Sequence, residues 1–106
     1  MPKYLVQANY VDKGLKGLLK EGGSSRRAAV EKMFESVGGK VEAFYYAFGG
    51  TDVFIIADMP DNVSAAALSL AVNATGAATS KVTVLLTVEE IDAATKKTVS
   101  YRAPGQ

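Results

Sequence analysis

The residues able to do chemistry in this chain are few, and two types are missing altogether. None of the 106 residues is cysteine or histidine. That removes the thiolate nucleophile, the disulfide, the imidazole base, histidine-ligated haem and zinc sites of the usual kind. Proton transfer would fall to Asp, Glu, Tyr or Lys. The first candidate is Asp52, just after Gly49-Gly50-Thr51. A carboxylate beside an apolar cavity has its pKa raised by burial toward the range of a working general base. Beside a Gly-Gly turn the same aspartate has a plainer role, accepting backbone N–H bonds. Tyr45, Tyr46 and Phe48 precede it closely enough to line a ligand cavity, or to pack as core or subunit contact. Asn9 and Tyr10 close the first apolar stretch, where they would orient a polar ligand or simply be solvated. Arg26 and Arg27 offer a bidentate grip on a carboxylate, or an exposed helix face. No catalytic triad, phosphate loop or DxDxDG-like calcium loop occurs, so neither metal nor cofactor is implied.

The elements that position these residues start from positions 41–58, VEAFYYAFGGTDVFIIAD. Two apolar runs rich in aromatic and β-branched residues flank Gly49-Gly50, which predicts a hairpin whose turn uses the positive φ open to glycine. Val53-Phe54-Ile55-Ile56-Ala57 has no polar face, so both sides of this sheet are expected to be covered. Residues 3–10 form a first strand, with Tyr4, Val6, Ala8 and Tyr10 on one side and Leu5, Gln7 and Asn9 on the other. From Val11 to Val37 the pattern is helical, and Leu15, Leu18, Leu19, Val30, Met33, Phe34 and Val37 read as one apolar face. Gly22-Gly23-Ser24-Ser25 interrupts it, with Ser24 or Ser25 expected to cap the second half and Gly38-Gly39 to end it.

Beyond the hairpin, Pro60 and Asp61 or Asn62 mark the start of a helix through SAAALSLAVNAT that stops at Gly76. Residues 81–88 predict a last strand, Val82, Val84, Leu86 and Val88 on one face, Thr83, Leu85 and Thr87 on the other. Thr87 and Glu90 have capping-box spacing for a short helix through Lys97. The order βαββαβ with right-handed crossovers gives an α+β, ferredoxin-like fold: a four-stranded antiparallel sheet with both long helices on one face. A single domain is expected over residues 1–98 with a C-terminal tail at 99–106.

Helices enough for one face leave the other bare, and the expected cover is a second copy, as a homodimer or a larger assembly of dimers. That face is expected to mix Gln7, Asn9, Thr83 and Thr87 with Phe44, Tyr46 and Phe48. Packed against its twin it would enclose a cavity with a few fixed polar groups. The candidate ligand pocket is therefore Gln7, Asn9, Tyr10, Tyr45, Tyr46, Phe48 and Thr87. Twelve basic against eleven acidic residues give a net charge of +1, which favours no nucleic acid. No apolar run approaches a membrane span or a secretory leader, so a cytoplasmic location is expected.

Gly14 after strand one, the Gly38-Gly39 helix end, the hairpin with Gly49 and Asp52, the Pro60-Asp61 helix start, Gly76 and the closing Thr87-Val88-Glu89-Glu90 together resemble the GYD domain family of small bacterial proteins. The resemblance covers about residues 1–92 and rests on glycine and turn positions rather than reactive groups. It implies a dimeric α/β barrel, a group that includes cofactor-free monooxygenases, isomerases, dehalogenases and ligand-sensing domains. The chain departs from the pattern at Thr51, where the family name implies tyrosine, and at Val11, where a threonine is expected. Two functional readings follow. In the favoured one the protein is a non-catalytic small-molecule-binding or assembly module, because no titratable pair is placed to divide acid and base roles. In the other it is a cofactor-independent enzyme acting on a small apolar carbonyl or phenolic substrate through Asp52 or a tyrosine.

Overall fold

A computed structural model describes all residues, Met1–Gln106. The elements are β1 (Lys3–Tyr10), α1 (Asp12–Glu21), α2 (Gly23–Ser36), β2 (Lys40–Tyr46), β3 (Val53–Asp58), α3 (Asn62–Ala74), β4 (Ala78–Leu85) and α4 (Val88–Thr95). The strands form one sheet in the order β2-β3-β1-β4, all neighbours antiparallel. This is the ferredoxin-like arrangement expected from the order of elements.

Alternation along β1 sorts its side chains as predicted. Tyr4 and Val6 are buried under the helices together with Val53, Ile55 and Ala57 of β3, Phe34 of α2 and Leu68 of α3. Leu5, Gln7 and Asn9 face the other way, opposite Phe54 and Ile56 of β3. The helix ends follow their punctuation. Gly38 takes φ 80° and the Gly39 N–H returns to the Phe34 carbonyl at 2.8 Å. The Asp61 carboxylate accepts the Ser64 N–H at 2.8 Å, while Thr87 and Glu90 form a complete capping box.

Four expectations are corrected. Neither Gly49 nor Gly50 takes a positive φ. The strands instead end at Tyr46 and resume at Val53, and a wider loop is closed by the Ala47 N–H on the Asp52 carbonyl at 2.7 Å. A loop of that length turns without the left-handed geometry a two-residue hairpin needs. Second, a register shift between Val41 and Ala43 puts Val41, Phe44 and Tyr46 together on the helix side. Phe44 is thus core, and the open face receives Ala43 and Tyr45 instead. Third, β4 spans Ala78–Leu85, because the Thr87 capping box starts α4 where an apolar run would have continued the strand. Thr87 and Val88 therefore lie outside the sheet. Fourth, no serine caps α2. The two helices are divided by Gly22 alone, at φ 85°, and Ser24 and Ser25 lie within the first turn.

The Gly22 break also redirects α1. Its N-terminal end is tied to the start of β4 by the Val11 N–H on the Ala77 carbonyl at 3.1 Å. Its C-terminal junction is tied to the end of β2, where the Tyr46 hydroxyl donates to the Gly23 carbonyl at 2.8 Å. The ten residues of α1 span about 15 Å at 1.5 Å each. That matches the roughly 14 Å across three inter-strand spacings, from one edge strand to the other. So α1 lies across one end of the sheet as a roof, while α2 packs on β2 and α3 on β4. No residue of α1 is buried. Beyond β4, α4 and residues 96–106 are exposed throughout. They project far enough that the radius of gyration is 17.0 Å, against about 13 Å for a compact chain of this length.

Candidate functional site

The roof and the two long helices enclose a cleft of about 480 Å³ on the helix side of the sheet. Its floor is Val6, Ala8, Val53 and Ile55, its walls Val30, Met33 and Phe34 of α2 facing Leu68, Ala71 and Val72 of α3. Lys13, Gly14, Gly17 and Glu21 come down from α1. Gly14, Gly17 and Glu21 recur at the spacing of a single helical face, and Gly17 keeps the space beneath it open. An added Cβ at Gly17 would meet nothing within 4 Å. At Gly14 the opposite holds: a Cβ there would lie 2.0 Å from the Ala77 carbonyl oxygen and 3.0 Å from the Tyr10 ring. One glycine seats α1 on the sheet end; the other leaves room beneath it.

Polar groups collect at the rim. Arg26 reaches Glu21 at 3.6 Å, longer than the 2.7–2.9 Å of a tight charge-assisted bond. Arg27 is engaged elsewhere, 3.4 Å from Glu31 and with its guanidinium over the Phe44 ring at 6.0 Å. Lys13 has no acidic partner within 4.0 Å, and the Tyr10 hydroxyl has no hydrogen-bond partner in the fold. The Tyr46 hydroxyl is pushed above its ordinary pKa of 10.0, first by burial and then by neighbouring Tyr10, with Arg26 and Arg27 pulling the other way. It is a donor at neutral pH, held on the Gly23 carbonyl.

A second, shallower cleft of about 370 Å³ lies on the outer side of the roof. Here the structure gathers Tyr10, Tyr46, Phe48 and Asp52 with Leu15 and Leu18 of α1. The leucines of α1 thus turn away from the core that Val30, Met33 and Phe34 enter, which corrects the expectation of one continuous apolar face. Leu15 is 47% and Leu19 79% exposed, and Phe48 is fully so.

Asp52 is fixed by the backbone. Its carboxylate accepts the Tyr10 N–H at 2.9 Å. Its own N–H donates to the Asn9 side-chain oxygen at 2.9 Å and to the Ala8 carbonyl at 3.1 Å. The reciprocal lock joins the end of β1 to the loop before β3. The remaining candidates disperse. Gln7 and Tyr45 lie on the open face around Phe54. Thr87 caps α4 past Leu85, which pairs with Lys3, so it sits at the opposite end of the sheet from Tyr10, whose partner is Ala78. Sequence reasoning missed Lys13, Gly17, Glu21 and the role of Arg26. The signal was the small and charged face of α1, set roughly opposite its leucines.

No curated protein and no solved structure matches this chain. The sequence model of the GYD domain matches residues 4–95, which runs from β1 to the last residue of α4 and covers most of the chain. The chain belongs to the GYD domain family.

Proposed function

We propose that this chain is a non-catalytic small-molecule-binding module acting in the cytoplasm as a homodimer. The observation that carries the reading is the roofed cleft. Its volume of about 480 Å³ falls in the range of small-molecule sites, and it combines an apolar floor with a few rim polar groups as such sites do. The case against turnover is the commitment of Asp52 to the Tyr10 N–H and a lining whose one carboxylate, Glu21, is paired with Arg26. The homodimer reading is supported by the open sheet face, where Leu5, Ala43, Phe54, Ile56 and Leu85 cluster without a covering helix.

The test is fluorescence titration with the uncharged apolar probe N-phenyl-1-naphthylamine. It is expected to bind the wild type and not Gly17→Leu, whose side chain would enter the free space under α1. Equal binding to both proteins, or none to either, would refute the cleft as the site.

A further inference from the structure

We infer that the roofed cleft takes an amphipathic carboxylate, its apolar body on the floor and its anionic head at the α1 rim beside Arg26 and the Tyr10 hydroxyl, with Lys13 adding positive charge from the other end of α1. This rests on the binding reading above and adds the chemical class of the ligand. The cleft holds about 480 Å³, which is the space of about 16 water-sized groups at ~30 Å³ each. That accommodates a medium-length acyl chain or a substituted ring, and is too small for a nucleotide or a peptide.

The head group follows from the rim. Two cationic side chains, Lys13 and Arg26, and one anionic, Glu21, line the cleft, so the rim is net positive. Lys13 has no acidic partner within 4.0 Å, and the Arg26 to Glu21 contact at 3.6 Å is loose. Tyr10 lines the cleft, and its hydroxyl has no acceptor or donor of its own within the fold. A guanidinium, an ammonium and a phenolic hydroxyl all donate, and a carboxylate supplies only acceptors. A ligand carboxylate would therefore satisfy Tyr10 and compete with Glu21 for Arg26. A cation would be repelled by the net-positive rim, and a neutral polar head would accept from a donor while leaving the positive charge unmatched. The apolar interior supplies affinity that is indifferent to charge; the rim decides which amphiphile stays.

The experiment measures displacement of N-phenyl-1-naphthylamine by decanoate and by decan-1-ol, which share an apolar chain and differ in the head. Decanoate is expected to displace the probe better than the alcohol. Arg26→Gln should weaken decanoate by up to about tenfold, the size of one lost hydrogen bond to a charged group, and Lys13→Gln, which removes charge farther from the head, by less. Both should weaken the alcohol far less than decanoate, and Glu21→Gln should strengthen decanoate by removing its competitor. If the probe binds and both compounds displace it alike in all four proteins, the carboxylate assignment falls while the cleft remains a binding site. If the probe does not bind the wild type, both inferences fall together.

Discussion

Gly14 and Gly17 stand one turn apart on the same helix, and the structure gives them opposite roles, so replacing each by alanine should move stability in opposite directions. Glycine inside a helix costs about 1 kcal/mol relative to alanine through backbone entropy. At Gly17 nothing lies within 4 Å of an added methyl, so Gly17→Ala should recover most of that, about 0.5–1 kcal/mol. At Gly14 the methyl would sit 2.0 Å from the Ala77 carbonyl oxygen. Backbone must move, and overpacking of this kind costs roughly 1–3 kcal/mol. The hydrogen bond from Val11 to Ala77, at 3.1 Å, is the first interaction to break, and is worth about 1 kcal/mol. Set against the same propensity gain, Gly14→Ala should come out destabilising by about 1–3 kcal/mol. For a domain near 100 residues each kcal/mol shifts Tm by about 4–8 °C. Differential scanning calorimetry on the two variants should therefore separate them by at least about 5 °C, one above wild type and one below. If both variants melt higher than wild type by similar amounts, α1 is not seated on the start of β4 and the description of it as a roof is wrong.

Ile55→Asp buries a carboxylate among core residues and should unfold the protomer, since an unpaired buried charge costs several kcal/mol out of a total of about 5–15. Phe54→Asp and Ile56→Asp, on the open face, should keep a cooperative melt while converting a dimer to a monomer in light scattering; a wild-type dimer that survives both would remove this face as the interface. Asp52→Asn should retain an acceptor for the Tyr10 N–H and cost about 1 kcal/mol, whereas Asp52→Ala, read by chemical denaturation, should cost more. A rise in stability for Asp52→Asn would instead reveal a strained functional carboxylate. The alkaline limb has its own sign. Because the folded protein raises the Tyr46 pKa above 10.0, the native state holds that proton when the unfolded chain has lost it. Stability should then decline as pH rises from about 10 through the folded value. Tyr46→Phe, followed by melting against pH, should flatten that decline.

What could be read from the sequence was whatever depended on a neighbour two to four residues away. Strict alternation from Tyr4 to Tyr10 named the core side of β1, and Asp61, Gly76 and the Thr87–Glu90 pair marked helix ends because each acts on its own turn. What could not be read depended on where a regular pattern is broken. Gly22 interrupts α1–α2 without changing the apolar count, so Leu15 and Leu18 still matched the periodicity of Val30 and Phe34 while facing elsewhere. The bulge beside Glu42 moved Phe44 to the core side by the same kind of slip. Glycine permits positive φ and does not demand it, which is why Gly22 uses that freedom and Gly49 does not. The candidate site suffered most: Tyr10 alone joins both clefts, and the roof face that completes the inner one carries no apolar signal.

A helix with no buried residue, tied down at its two ends and broken from its neighbour by one glycine, has little of the global stability behind it. Its amides should exchange hydrogen with solvent through local opening, long before those of β1 or β3, which open only with the whole fold. Lifting α1 about Gly22 would uncover the cleft without disturbing Phe34, Val6 or Ile55. The time a bound molecule spends inside would then be set by how often one ten-residue segment frays, so residence time and affinity could be changed separately, the first at the hinge and the second at the rim.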